Sequence, residues 1–339
     1  MTASLDAIRV GIAYDFDAAT IAAFRSVSPR LDLRVTAGKD QAAVDALAAT
    51  DLDGLIAHRL PSDLSRTPSL RWLQVPSAGV EVILGGGRWP DGIVLTNARG
   101  VYALPIAQYT IAAILRVAEH ADARREQQLL GEWPDDQGQD ALQGDQLRGR
   151  TLVIAGYGGI GREVARLAAA HGLRVVAVKA DPTVRADDGF RVPGTGDPDG
   201  SIPDRIVGVD ALRDAAAEAD FLSITLPLTE RSRGIVSRDV LAALPAHAWI
   251  INTGRGPVVD EPALAEALTA RRIGGAVLDV FGEEPLPPAS PLWSLPNVVI
   301  TPHVSGATME HLAPLISENL RRFVAGEPLI NRVDPQRGY

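Results

Sequence analysis

The chain has 339 residues, 46% hydrophobic and 22% charged, the composition of a globular protein long enough for two domains that each bury a core. Its formal charge of −9 leaves no basic stripe to neutralise a phosphate backbone and argues against nucleic acid as a partner. There is no cysteine, which excludes disulfides and thiolate metal centres, and neither a leader pattern at Met1–Asp6 nor a run of about 18 apolar residues occurs, so no metal, no membrane partner and a cytoplasmic location are expected.

In chain order, Arg9–Ala13 reads as a strand, Ala18–Ser26 as a helix, Leu31–Val35 as a strand, Gln41–Ala49 as a helix and Gly54–Ala57 as a strand. Trp72–Val75 and Ile93–Thr96 add two short strands, and alternation of this kind implies βαβ units around a parallel sheet. Ala103 to Leu130 is the longest helical pattern. Its Ile106, Tyr109, Ile111, Ile114, Leu115 and Ala118 are apolar on more than one face, as in a helix that packs against both domains or another subunit. Gly131–Gly149 is polar and glycine-rich and reads as a loop.

The stretch Thr151-Leu-Val-Ile-Ala-Gly-Tyr-Gly-Gly-Ile-Gly161 starts as a buried strand and breaks at once into glycines; Ile160, Val164, Leu167 and Ala168 then share one helix face. Gly156, Gly158 and Gly161 have G-x-G-x-x-G spacing at this strand-to-helix turn. The first permits the turn, the second lets a pyrophosphate approach, and the third lets helix pack on strand. Gly156 to Gly161, with Tyr157, Gly159 and Ile160, are therefore candidate cofactor residues, the helix N-terminus offering N–H groups to phosphate. The alternative is a purely structural turn. Further strands at Arg174–Val178, Phe221–Thr225, Trp249–Asn252, Ala276–Val280 and Val298–Thr301 make six, enough for a dinucleotide-binding sheet. Asp181–Val209, dense in Pro, Gly and Asp, reads as a long loop, and Glu310–Ala325 as a final helix stopped by Gly326-Glu-Pro.

Other segments follow in a recognisable order: Leu147-Arg-Gly-Arg, Leu226-Pro-Leu-Thr229, Ile251-Asn-Thr-Gly-Arg-Gly-Pro-Val-Val-Asp-Glu261, Leu278-Asp-Val-Phe-Gly-Glu-Glu-Pro-Leu286, Pro291-Leu-Trp293 and Thr301-Pro-His-Val-Ser-Gly306. With them the chain resembles the D-isomer-specific 2-hydroxyacid dehydrogenases over nearly its whole length. The resemblance implies an α/β fold of two Rossmann-like or flavodoxin-like domains with parallel sheets, the cofactor domain inserted into the substrate domain. Residues 1–102 would start the substrate domain, 103–300 would bind NAD(P), and 301–339 would return to the first domain, with the 103–130 region as a homodimer contact. The implied activity is hydride transfer between a nicotinamide and a small 2-keto acid such as glyoxylate or hydroxypyruvate. A 3-phosphoglycerate dehydrogenase is the runner-up, and a nucleotide-sensing corepressor-like scaffold is the alternative of another class.

Within that resemblance His303 is the candidate proton donor, since imidazole titrates near working pH. Glu284 is its partner, selected over the adjacent Glu283 by alignment on Glu-Pro-Leu. Arg255, between Gly254 and Gly256 after an apolar strand, is the candidate anchor for the substrate carboxylate. Asp279 resembles the residue that meets the nicotinamide amide, with structural capping as its alternative; Leu226, Pro227, Thr253, Gly254, Ser305 and Gly306 complete the cofactor set. Pro76-Ser-Ala-Gly-Val80 resembles the loop whose N–H groups receive the carboxylate, at Ala78 and Gly79. Gln108 departs from the glutamate many relatives carry.

NAD-specific sites place an acid about 20 residues past the glycines to accept the ribose 2′-hydroxyl. Here the residue is Lys179, which cannot accept that bond but pairs with a 2′-phosphate, so NADP(H) is favoured over NAD(H). Asp181 could turn back to the ribose, and Arg185 and Arg191 are either second contacts or solvated. The shape of the substrate pocket, including Trp133 and Trp293, is not readable from sequence.

Overall fold

The computed structural model describes residues 7–85, 87–306 and 310–339, so the Met1–Asp6 reading lies outside it. The chain divides into two compact units, Met1–Tyr102 with Asp188–Val192 and Thr308–Tyr339, and Ala103–Asp187 with Pro193–Ala307. Two features differ from the expected boundaries. Residues 301–306 stay with the second unit, and a five-residue excursion from the loop after residue 181 joins the first.

In the first unit, β1 (Ile8–Ile12), β2 (Leu31–Val35), β3 (Gly54–Ile56), β4 (Trp72–Gln74) and β5 (Val94–Thr96) form a parallel sheet of order β2-β1-β3-β4-β5, the flavodoxin-like winding. Val10, Ile12, Ile56 and Trp72 are fully buried from one side by the Leu312–Ala325 helix, whose Leu312, Leu315, Ile316 and Leu320 recur at helical spacing. Phe190 of the excursion packs against this same core. Its N–H donates to Asn331 Oδ1 at 3.0 Å, and Gly100 leaves room for its carbonyl where a Cβ would overlap.

The second unit holds β6 (Thr151–Ala155), β7 (Arg174–Lys179), β8 (Arg205–Gly208), β9 (Phe221–Ile224), β10 (Trp249–Asn252), β11 (Gly275–Leu278) and β12 (Val298–Ile300) in the parallel order β12-β11-β10-β9-β6-β7-β8. This is the dinucleotide-binding winding with one strand added. β8 is the strand that the sequence hides. Its four residues sit within the Pro- and Gly-rich stretch and pair only with β7, from Val176 beside Arg205 to Lys179 beside Gly208. The expected 103–130 helix is two, Ala103–Ala118 and Ala121–Leu130, because His120 takes a left-handed conformation at φ +48. Only the first has buried residues and packs on the Gly159–Ala170 helix. The polar 131–149 segment contains a short helix, Asp136–Ala141, capped by Asp135. No helix of the described residues is long and apolar enough to cross a membrane.

Candidate active site

β6 is buried along its length and ends in Gly156 at φ +106, where an L side chain is strained and a Cβ would come within 3.0 Å of the Leu226 nitrogen. Gly158 caps the Gly159–Ala170 helix, and a Cβ there would meet nothing within 4 Å, so the backbone is open to approach. At Gly161 a Cβ would overlap the Gly156 carbonyl oxygen; glycine lets the helix lie that close. Three glycines thus serve three steric needs, and together they fit a pyrophosphate resting on a helix N-terminus. Thr225 Oγ1 donates to Gly156 O at 2.7 Å, joining the ends of β6 and β9. The strand order reverses between these two strands, so Leu226 and Pro227 follow β9 at the crevice where such sheets take ligands.

Lys179 ends β7 with its ammonium on the Val184 carbonyl. Asp181 does not turn back. Its carboxylate accepts the Thr183 hydroxyl at 2.6 Å and the Thr183 N–H at 3.0 Å, which hold its pKa below the usual carboxylate range. Arg185 donates to Gly200 O at 3.2 Å, whereas Arg191 belongs to the first unit.

β10, β11 and β12 are parallel neighbours, so the residues after their ends share one edge of the sheet. Arg255 follows β10. A Cβ at Gly254 would lie 2.8 Å from Leu226 O and one at Gly256 would overlap the Phe281 carbonyl, so close backbone approaches on either side fix this arginine's position. Its Nη1 donates to Gly254 O at 2.8 Å. Asp279, after β11, is fully buried and accepts the Thr301 hydroxyl at 2.5 Å and the N–H groups of Val304 and Ser305 at 2.9 and 3.0 Å. Burial pushes its pKa up, but hydrogen bonds from Ser305, Thr301 and Val304 outweigh that and leave it below the usual range. Asp279 thereby folds the turn that carries His303, whose own N–H reaches Asp279 O at 2.9 Å. His303 Nδ1 lies 2.8 Å from Glu284 Oε2, and Glu284 Oε1 accepts the Phe281 N–H at 3.0 Å. Both side chains are open to solvent, at 49% and 36% exposure, as is the adjacent Glu283. An imidazole whose Nδ1 faces a carboxylate keeps Nε2 for proton exchange with a ligand.

In the first unit the loop after β4 is braced through its carbonyls. Ala98 N–H donates to Ser77 O at 2.9 Å, Asn97 Nδ2 to Ala78 O at 2.7 Å and Ser77 Oγ to Gly79 O at 2.7 Å. Among the described residues, the N–H groups of Ala78 and Gly79 donate to no protein acceptor, leaving two adjacent donors suited to an anion. Gln108 is exposed on its helix.

Residues 111–305 match the sequence profile described as D-isomer specific 2-hydroxyacid dehydrogenase, NAD binding domain. The glyoxylate/hydroxypyruvate reductase B of Yersinia enterocolitica is 35% identical over 277 residues, 80% of either chain. The chain belongs to the D-isomer-specific 2-hydroxyacid dehydrogenase family. The (S)-sulfolactate dehydrogenase of Chromohalobacter salexigens is 33% identical over 262 residues, 76% of this chain and 79% of that one. A D-isomer specific 2-hydroxyacid dehydrogenase from Xanthobacter autotrophicus Py2, solved with NADPH and MES, superposes with a TM-score of 0.77 at 30% identity, covering 98% of this chain and 100% of the other. The protein is therefore an NAD(P)-dependent oxidoreductase of this family, acting on the CH–OH group of donors, and its two parallel-sheet α/β units are those the resemblance implied.

Four residues around this candidate site were not among the expected ones. Tyr109 shares a 2.7 Å hydrogen bond with Thr301 Oγ1, which in turn donates to Asp279, so a helix residue counted only as apolar secures the histidine turn. A hydroxyl on an otherwise apolar face was the available signal. Ser77 and Asn97 brace the Ala78–Gly79 loop, and Asn and Ser near turns are the residues that bond neighbouring backbone. Asp197, within the expected loop, is buried at 3% exposure, and no local pattern marks it.

Proposed function

We propose that this enzyme reduces small 2-keto acids with NADPH, glyoxylate and hydroxypyruvate being the first substrates to try, and that Arg255, Glu284 and His303 carry the chemistry. The observation behind this reading is the His303–Glu284 pair at 2.8 Å, on the sheet edge where Arg255 also emerges. The names of the reductase and sulfolactate relatives support the substrate class. When bound, the nicotinamide supplies a hydride to the keto carbon. His303 holds a proton at Nε2 and releases it to the keto oxygen, while Glu284 orients the ring through Nδ1. Arg255 grips the carboxylate and offsets charge growing on the oxygen. The N–H groups of Ala78 and Gly79 receive carboxylate oxygens. Gly156–Gly161, Leu226 and Pro227 cradle the cofactor, and Thr253, Gly254, Asp279, Ser305 and Gly306 take its nicotinamide end.

Lys179 supports NADPH over NADH, since an ammonium suits a 2′-phosphate and Asp181 is engaged by Thr183. Loss of NADPH absorbance with a panel of 2-keto acids tests the activity; no turnover with any of them would overturn it in favour of a nucleotide-binding scaffold. In the same assay kcat/KM is higher with NADPH than with NADH, and Lys179→Asp reverses the order. A wild-type preference for NADH removes the Lys179 assignment. A homodimer through the 103–130 region is supported by Leu129 and Leu130, exposed by 68% and 67% at its end. A monomer mass by light scattering would contradict it.

A further inference from the structure

The loop after β7 is tied to the nucleotide turn by a buried charged cluster. Arg162 and Asp197 are 2% and 3% exposed. Tyr157, between the first two glycines of the turn, donates its hydroxyl to Asp197 Oδ2 at 2.5 Å, and the N–H groups of Ser201 and Ile202 donate to the same carboxylate at 3.0 and 3.1 Å. Arg162, immediately after Gly161, donates to the carbonyl of Asp197 and, at 2.5 Å, to the carbonyl of Arg185; its guanidinium lies 4.8 Å from the centre of the Tyr157 ring. Glu163 adds a second tie from the same helical turn, accepting the Gly196 N–H at 2.6 Å while paired with Arg166.

The geometry at Val184–Arg185 gives this cluster a purpose. Lys179 holds the Val184 carbonyl from the strand end, and Arg162 holds the Arg185 carbonyl from the helix. Arg185 is further pinned through its side chain on Gly200 O at 3.2 Å. Burial and the Asp197 hydrogen bond push the Tyr157 pKa up. Burial also raises that of Asp197, but its hydrogen bonds from Tyr157, Ile202 and Ser201 outweigh this and lower it, so the proton stays on the phenol. Buried ionic groups are poor stabilisers compared with apolar residues of like volume, and their better-attested use is to specify one arrangement.

We infer that Arg162 and Asp197 are positioning residues for the adenosine end of the cofactor, holding Val184–Arg185 where Lys179 is presented to a ribose 2′-phosphate. The inference rests on the Lys179 reading above. An ammonium carries three N–H donors, so a bond to Val184 and one to a phosphate are compatible.

The test titrates the full-length enzyme with 2′,5′-ADP and with 5′-ADP. Wild type binds the former more tightly, and Lys179→Ala abolishes the difference. Asp197→Asn and Arg162→Gln weaken 2′,5′-ADP about tenfold, equivalent to about 1.4 kcal/mol, and leave 5′-ADP within about twofold. Unchanged discrimination in both variants, with Lys179→Ala still losing it, overturns the positioning role and leaves the Lys179 reading standing. No discrimination by wild type overturns both. Should Arg162→Gln fail to fold, Asp197→Asn and Tyr157→Phe carry the comparison; equal loss for both probes with a lower Tm means the cluster is structural only.

Discussion

His303 stands at φ +54, in a left-handed conformation that a histidine adopts only when its surroundings hold it there. Asp279 and Thr301 do so through backbone contacts to its N–H at 2.9 and 3.1 Å, and Glu284 sets the ring. Position and orientation thus come from different residues. His303→Ala should lower kcat by about a hundredfold to ten-thousandfold and change NADPH affinity little, measured by turnover and by fluorescence titration. A variant with near wild-type kcat would place the proton donor elsewhere. The histidine and its choice of Glu284 over Glu283 were legible in short motifs, because each lies beside a strand end or a proline that local sequence marks. Tyr109 was not, since a tyrosine on an apolar helix face reads the same whether or not its hydroxyl has a partner 192 residues away.

Among the elements, those with dense apolar runs were readable and those defined by one neighbour were not. β6, buried on every residue, and β9 to β11 announce themselves. β8 is an edge strand of four residues, partly exposed, and exists because β7 offers it a free ladder. The 103–130 helix broke at His120 for a similar reason. Ala118 O accepts the Asp145 N–H at 2.7 Å and His120 Nδ1 lies 3.2 Å from Ala141 O, contacts made by a later segment. The segment after β7 reads as a long loop because its composition is that of a loop; the side chains that order it, Tyr157, Arg162 and Glu163, lie on the preceding turn and helix.

At the scale of the molecule, acid should expose how far the fold leans on ionised carboxylates. Glu318, on the Leu312–Ala325 helix, is held down to about 2 from 4.5 by Arg321 and then Arg322, and Asp279 and Asp197 are also lowered. A group whose folded pKa lies below its unfolded value stabilises the fold above the unfolded pKa and loses that contribution as pH falls through the folded one. For Glu318 that window runs from about 4.5 down through about 2. The Tm should therefore fall progressively below pH 4.5, and Glu318→Gln should start lower at pH 7 yet lose less on acidification. An identical acid profile for the variant would show that the Arg321 pair adds nothing.

By itself the sequence determined the two α/β blocks, the glycine turn, the family, and which histidine, glutamate and arginine to inspect, because periodicity, glycine spacing and short motifs are local properties of the chain. Tertiary structure alone decided that a five-residue segment of the loop leaves one unit for the other, and that Arg162 and Asp197 meet. Those outcomes depend on which backbone groups are left unpaired once the sheets have formed, and a pattern of residue types carries no record of that.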